Sequence, residues 1–299
     1  MTVSARRTIR RNAFLALILA GICWGLGFPL GKLALRETTP AHMVLLRFAV
    51  AAVAALPFVL GREARALFAS PAVLLAGSLY ALGFLVQFEG LARVSVTLAA
   101  LLVGAMPALI AVSARLLGER TTAKSWAGVA AATLGAVLIA GDPGGAGSLA
   151  GVLLSLASLL LFLGWFYALK GAPTVRAPLA MPAVTVIVAA LAILPISLAM
   201  HGAPRLDLSV GAWAGIVGQG LLSTMLATAA WQYGSSRVGS ASAGVFINIE
   251  PLMGAIIGVA LFGDRLTAAL AAGGVLIILG SLAVVLGEDH HHDAPPTVA

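Results

Sequence analysis

Charge is scarce in this chain of 299 residues. Asp, Glu, Lys and Arg together make up 10% of it, against about 25% in a soluble domain. A globule in water covers its surface with such residues, so this chain cannot clothe one. Cysteine occurs once, as Cys23, which excludes an internal disulfide and a cysteine-built metal site. The stretch Leu19-Ala20-Gly21-Ile22-Cys23 misses a lipoprotein cleavage box in its spacing, and apolar sequence continues beyond it, so the thiol reads as unlipidated. Histidine is also rare. His42 and His201 stand alone, and His290, His291 and His292 sit together near the C-terminus. No His/Asp/Glu set shares a helical face at metal spacing. Gly25-Leu26-Gly27 follows no strand and so begins no dinucleotide turn. The expectation is no enzyme, no metal and no cofactor.

What remains is apolar. Hydrophobic residues make up 61%, against roughly 45–50% in soluble domains, even with Gly counted there. Few residues would prefer water, so disorder is excluded too. A helix needs about 20 apolar residues, at 1.5 Å each, to cross a bilayer. Ten stretches qualify: 13–35, 41–60, 70–89, 94–117, 125–141, 148–169, 178–200, 211–233, 240–262 and 268–287. None alternates polar with apolar, which sets aside a membrane β-barrel. The expected fold class is an all-α integral membrane protein with ten transmembrane helices. Arg6, Arg7, Arg10 and Arg11 ahead of the first stretch resemble a signal peptide. No small-residue cleavage site followed by a soluble domain appears, so the stretch reads as an uncleaved span after an N-terminal segment 1–12. Residues 288–299 are polar and read as a disordered tail.

The net charge of +7 would suggest nucleic acid in a soluble protein. Here the basic residues sit in short loops and read as orientation signals beside anionic headgroups. With ten spans both termini share a side. That side holds Arg6, Arg7, Arg10, Arg11, Arg62, Arg65, Arg115, Arg120, Lys124, Lys170, Arg176 and Arg237, twelve of the 18 basic residues. The other side holds Lys32, Arg36, Arg93, Arg205 and Arg265, and Arg47 lies within a span. Positive charge marks the cytoplasmic face, so both termini are expected in the cytoplasm and residues 142–147 and 201–208 outside.

The chain also repeats itself. Arg93-Val94-Ser95, Pro107, Gly118-Glu119-Arg120 and Gly135 recur as Arg237-Val238-Gly239, Pro251, Gly263-Asp264-Arg265 and Gly280, 144 and then 145 residues on. Phe14 to Gly25 lines up loosely with Ser155 to Phe166, which sets Trp24 against Trp165. The halves are thus 13–141 and 148–287, five spans each. Five is odd, so the halves must insert with opposite topology, as in secondary transporters with a site between inverted repeats.

Trp24-Gly25-Leu26-Gly27-Phe28, Leu46-Arg47-Phe48, Gly118-Glu119-Arg120, Glu250-Pro251 and Gly263-Asp264 together resemble the EamA branch of the drug/metabolite transporter superfamily. The resemblance covers residues 13–287 and is greatest to its YddG-type aromatic amino acid exporters. It implies outward movement of amino acids across a bacterial inner (plasma) membrane. Gly263-Asp264 departs from the commoner Gly-Glu of the family, a change either carboxylate tolerates as a loop cap.

Polar groups inside a span are the candidate site, because a charge there costs about 2.5–3.5 kcal/mol. Glu250 is the most central carboxylate, with Asn248 two residues back and Pro251 next. It either meets a substrate ammonium or carries a proton, or else it is hydrogen-bonded beside the proline kink. Arg47 either pairs structurally with Glu89 or binds a substrate carboxylate, with Lys32 and Glu37 as competing partners nearby. Tyr80, Phe84 and Gln87 share one helical face at i, i+4, i+7. They read as cavity lining, with ordinary packing as the alternative. Trp24 and Phe28 form an i, i+4 pair, Trp165 stands opposite, and Gln219 lies deep in span eight. Trp126, Trp213 and Trp231 suit an interfacial belt. Few central ionisable groups fit a neutral or zwitterionic cargo. The expected protein is an alternating-access carrier that exports small metabolites, most of all amino acids, and works as a monomer without nucleic acid. The rivals are a multidrug exporter of the same fold, a lipid-processing enzyme and a channel.

Overall fold

The computed structural model describes residues 3–118, 121–141, 147–177, 179–235, 237 and 246–292. Glu119, Arg120, Val238, Gly239, the predicted outer loop 142–146 and residues 293–299 lie outside these. Among the described residues the chain is helical, with no strand beyond an isolated antiparallel bridge between Val94 and Gly147.

Helix starts follow hydroxyl caps. Thr39 before α3 (Pro40–Ala55), Ser95 before α6 (Val96–Val103), Ser148 before α9 (Leu149–Lys170) and Ser209 before α11 (Val210–Gly218) each accept a bond from a backbone N–H three residues on. Those N–H groups have no partner inside their own helix, and a cap satisfies one. Several rods are interrupted. α1 (Val3–Gly25) meets α2 (Gly27–Ala34) at Leu26. α6 meets α7 (Met106–Leu116) at Gly104-Ala105, just before Pro107. α11 passes through a π-helical segment, Gln219–Leu226, into α12 (Ala227–Ser235). α13 (Ile249–Phe262) follows a turn at Asn248, just before Pro251. Proline removes one backbone donor and crowds the preceding turn, so the breaks fall where the sequence has Pro107 and Pro251.

The other helices are α4 (Arg62–Leu67), α5 (Pro71–Leu91), α8 (Ala123–Gly141), α10 (Ala180–His201) and α14 (Ala268–His292). Eight helical segments are long and apolar enough to cross a membrane, and Ala123–Ile139 and Ile249–Phe262 are shorter apolar helices. The short helix α4, expected only as a loop, buries Ala64 and Leu67 against Val73, Ala180, Val184 and Val188. The backbone of α14 is helical through His292, past the expected tail boundary at 288. Large aliphatic side chains such as Leu153, Leu160, Leu191, Ile256 and Val275 stand exposed. A monomer in water rarely shows so much apolar surface, whereas lipid accepts it.

The helices choose partners in a reciprocal pattern: α14 on α8, α9 on α5, α10 on α3, α13 on α6 and α12 on α1. At α8–α14, a Cβ on Gly128 would lie 2.5 Å from the Gly280 carbonyl oxygen, and one on Gly280 equally close to that of Gly128. Gly135 and Gly273 meet in the same way, at 2.5 and 2.7 Å. Small residues let helix backbones approach inside a membrane, where hydrophobicity no longer drives association.

One end of the bundle is stitched by loops. Lys32 donates to the carbonyls of Leu91 and Val94, both at 2.7 Å. The Thr97 amide donates to Asp264 at 2.7 Å, and His42 is 3.1 Å from the Gly202 carbonyl. Ser209 donates to Glu37 through its amide and its hydroxyl, which holds that carboxyl below its ordinary value. A cation at the C-terminus of α5 and an anion at the N-terminus of α6 both complement the helix dipoles.

Candidate substrate site

Tyr80 and Phe84 lie one turn apart on α5, and Gln87 shares their face. Tyr80 and Gln87 are buried and Phe84 is half-buried. α9 brings two further rings. Trp165 stacks on Tyr80 with centroids 4.8 Å apart, and Phe162 stands edge-on to Phe84 at 5.0 Å. Phe48 of α3 completes the cluster, 5.5 Å from Tyr80 and 5.7 Å from Phe84. Gly83 admits Phe162, since a Cβ there would lie 2.8 Å from its ring. The buried indole N–H of Trp165 has no acceptor among the described residues. A buried indole N–H usually finds one, so this donor is free for a bound molecule. Phe162 was absent from the expected lining, although its i, i+3 spacing from Trp165 was a readable signal.

Arg47 lies against this cluster and is 1% exposed. Its Nε donates to the Thr224 hydroxyl at 2.9 Å, and its guanidinium carbon lies 3.7 Å from the centre of the Phe84 ring. The expected Arg47–Glu89 pair does not form. Glu89 bonds Arg93 instead, at 2.5 Å. Arg93 follows it one turn on, at the exposed end of α5, where i, i+4 charges meet without any tertiary cost. The competing partners are also engaged elsewhere, Lys32 at the α5 carbonyls and Glu37 at Ser209.

Glu250 is the second residue of α13 and is half-buried. α1 seats it closely, because a Cβ on Gly25 would lie 2.8 Å from the Glu250 carbonyl oxygen. Its carboxylate accepts no hydrogen bond from the described residues. Arg47 and Glu250 interact electrostatically, and Tyr80 interacts with both. No ion pair joins the two charges, which places them beyond 4.0 Å of one another. Opposite charges held apart inside an apolar bundle can each take a complementary group of one bound molecule.

The other expected residues are placed differently. Gln219 is fully buried and donates to the Gly27 carbonyl at the α1–α2 break. Ser223 caps the Cys23 carbonyl there at 2.7 Å. Phe28 is buried and packs beside Gly254, and Asn248 is buried at the turn before α13. Trp24 pairs with Trp231, centroids 5.4 Å apart, rather than with the Tyr80 cluster.

The expected equivalence of Trp24 and Trp165 is also corrected by packing. Gly90 meets Gly151 and Ser155 as Gly234 meets Ala13 and Leu17. Gly77 meets Thr185 and Val188 as Gly220 meets Arg47 and Val50. Both matches set an offset of 138 residues, which places Trp24 opposite Phe162. Aligned apolar helices slide by a turn at little cost in hydropathy, so only the contacts identify the register.

A cavity of about 420 Å³ lies elsewhere, between α7, α8 and α9, lined by Ala105, Ala108, Leu109, Val112, Thr133 and Leu160 among others. It carries no charge and suits an acyl chain better than a polar metabolite.

Comparison with known proteins agrees with this architecture. The model of the EamA-like transporter family matches residues 11–141 and 149–286. The chain is 26% identical over 284 residues to "Uncharacterized transporter YyaM" of Bacillus subtilis (strain 168), covering 91% of this chain and 92% of that protein. A solved structure, named only "Crystal structure of protein", superposes with a TM-score of 0.63 at 19% identity, over 95% of this chain and all of the other. At that identity the likeness shows the fold alone.

Proposed function

We propose, from the premise that the chain belongs to the EamA-like transporter family, that it is an alternating-access carrier exporting small metabolites, foremost amino acids including aromatic ones. Membership supports a multi-pass membrane transporter of small molecules. The finer reading rests on one observation. A cluster of Tyr80, Phe84, Phe162 and Trp165 lies against Arg47, and Glu250 interacts electrostatically with both Tyr80 and Arg47. Aromatic walls take an apolar side chain, and two separated opposite charges suit an α-carboxylate and an α-ammonium. A lipophilic cation, the cargo of the multidrug alternative, would bring no carboxylate for buried Arg47 and would meet its like charge.

The carrier is read as ten spans in two inverted five-helix repeats, 13–141 and 148–287. The reciprocal glycine contacts of α8 and α14 support this, since a twofold axis between the halves exchanges Gly128 with Gly273 and Gly135 with Gly280. Both termini lie in the cytoplasm of a bacterial cell, and the stitched end of the bundle faces outward. The carrier works as a monomer, because its site is complete within one chain. A phosphatase reporter fused after Gly144 is expected to be active and one fused after Gly287 inactive. The reverse pattern sinks this topology.

Counterflow in proteoliposomes across the twenty amino acids tests the cargo. Aromatic amino acids are expected to exchange with saturation, and Trp165→Ala or Gln87→Ala to slow exchange about tenfold while the protein still inserts and folds. Normal exchange in both variants would move the cavity elsewhere, and exchange of lipophilic cations alone would favour the multidrug reading.

A further inference from the structure

The π-helical segment in α11–α12 marks a residue that no motif points to. Gly77 and Gly90 on α5 are 13 residues apart, and Gly220 and Gly234, which make the matching contacts, are 14 apart. The second half therefore carries one residue more in this stretch, and the π turn of Gln219–Leu226 absorbs it. A π turn widens the helix and shifts its i→i−4 bonding by one residue; such turns recur at functional sites. Thr224 lies inside it. In an α-helix a threonine hydroxyl bonds the carbonyl three or four residues back. Here Thr224 donates to the Gln219 carbonyl, five residues back, at 2.9 Å. That direction of donation leaves the oxygen lone pairs of Thr224 facing α3, and Arg47 Nε donates to them at 2.9 Å. Thr224 is fully buried.

The consequence concerns the rest of the guanidinium. Phe84 covers one face of it, at 3.7 Å, and Thr224 holds Nε. The two terminal nitrogens make no hydrogen bond to the described residues, although Arg47 is 1% exposed. A buried guanidinium with an idle pair of parallel donors is preorganised for bidentate binding of a carboxylate.

We infer that Thr224 is a positioning residue whose hydroxyl, set by the π turn, aims the terminal nitrogens of Arg47 at the carboxylate of the cargo. This rests on the amino acid reading above. Thr224 makes the site discriminate for the carboxylate and leaves recognition of the ammonium to Glu250. Without the hydroxyl, Nε has no acceptor and the guanidinium turns to find one, so the fork is lost while its charge remains.

Binding of three probes to the purified full-length protein tests it: L-phenylalanine, 3-phenylpropionate, which lacks the ammonium, and phenethylamine, which lacks the carboxylate. Thr224→Val is expected to weaken L-phenylalanine and 3-phenylpropionate about tenfold and to leave phenethylamine within about twofold. Thr224→Ser is expected to restore wild-type affinity for all three. Should Thr224→Val fail to fold, Thr224→Cys takes its place, since a thiol is a weak acceptor, and the same ordering is expected. Equal weakening of all three probes, or none, overturns the positioning role while the amino acid reading stands. Wild-type protein that binds neither carboxylate probe overturns both.

Discussion

Glu250→Gln is expected to lower kcat/KM for L-phenylalanine counterflow by about 10- to 100-fold, with most of the loss in KM. A hydrogen bond to a charged group is worth about 1.5–3 kcal/mol, and each 1.4 kcal/mol is about tenfold in affinity. Glutamine keeps the shape of the side chain and loses only the charge, so the seat made by Gly25 and the turn at Asn248 is undisturbed. Among the described residues no protein donor bonds the Glu250 carboxylate, so the lost charge is felt by the cargo's ammonium and, more weakly, through space by Arg47. Exchange of 3-phenylpropionate, which brings no ammonium, is expected to stay within about twofold or to improve, since a second carboxylate no longer repels it. Equal losses for both compounds would make Glu250 a structural group. Loss of gradient-driven transport with counterflow intact would assign it a proton instead.

The second large effect is on stability. Alanine at Gly128, Gly135, Gly273 or Gly280 places a methyl group 2.5–2.7 Å from a carbonyl oxygen of the facing helix. Backbone cannot step aside as a side chain can, so α8 and α14 must separate. Overpacking of this kind costs about 1–3 kcal/mol, and the gain in helix propensity over glycine, about 0.5–1 kcal/mol, offsets only part. Each substitution is expected to lower the melting temperature in detergent by several degrees, at roughly 2–4 °C per kcal/mol. Leucine at these positions is expected to prevent recovery of folded protein. Gly61→Ala is the control, because a Cβ there meets nothing within 4 Å. The reciprocal geometry adds a sharper expectation. Gly128→Ala and Gly280→Ala disturb one contact, so their effects combine to less than their sum, whereas Gly128→Ala and Gly135→Ala disturb two and add. Additivity in the first pair would argue against the close approach.

Much of the site was open to reading before any contact was known. Tyr80 and Phe84 share a face because 3.6 residues make a turn, and that regularity is local. Glu250 and Arg47 stood out because hydrocarbon penalises charge wherever it lies along a span. The errors share a cause. Sequence gives the depth of Arg47 and Glu89 in the membrane, and depth says nothing about azimuth around a helix. Glu89 has a nearer partner in Arg93, just past the end of its own helix, and Arg47 turns toward Thr224. The depth of Gln219 is equally uninformative about its partner, and its amide serves the open backbone of α1–α2. The π turn left no sequence signal, because one extra residue in an apolar run changes neither composition nor hydropathy.

Local chemistry, summed along the chain, therefore determined the membrane class of this protein, the approximate limits of its apolar helices and the few residues able to carry charge inward. Hydrophobic and hydrogen-bonding preferences act within a turn or two, so they can be read from neighbours in sequence. Tertiary structure alone decided which faces meet: the offset of 138 between the first helices of the halves, Phe162 and Trp165 against Tyr80 and Phe84, and Arg47 on Thr224 rather than Glu89. Those choices depend on steric fit between helices far apart in the chain. Between apolar helices in lipid many pairings bury similar surface, and only close packing at glycines and satisfied polar groups separates them.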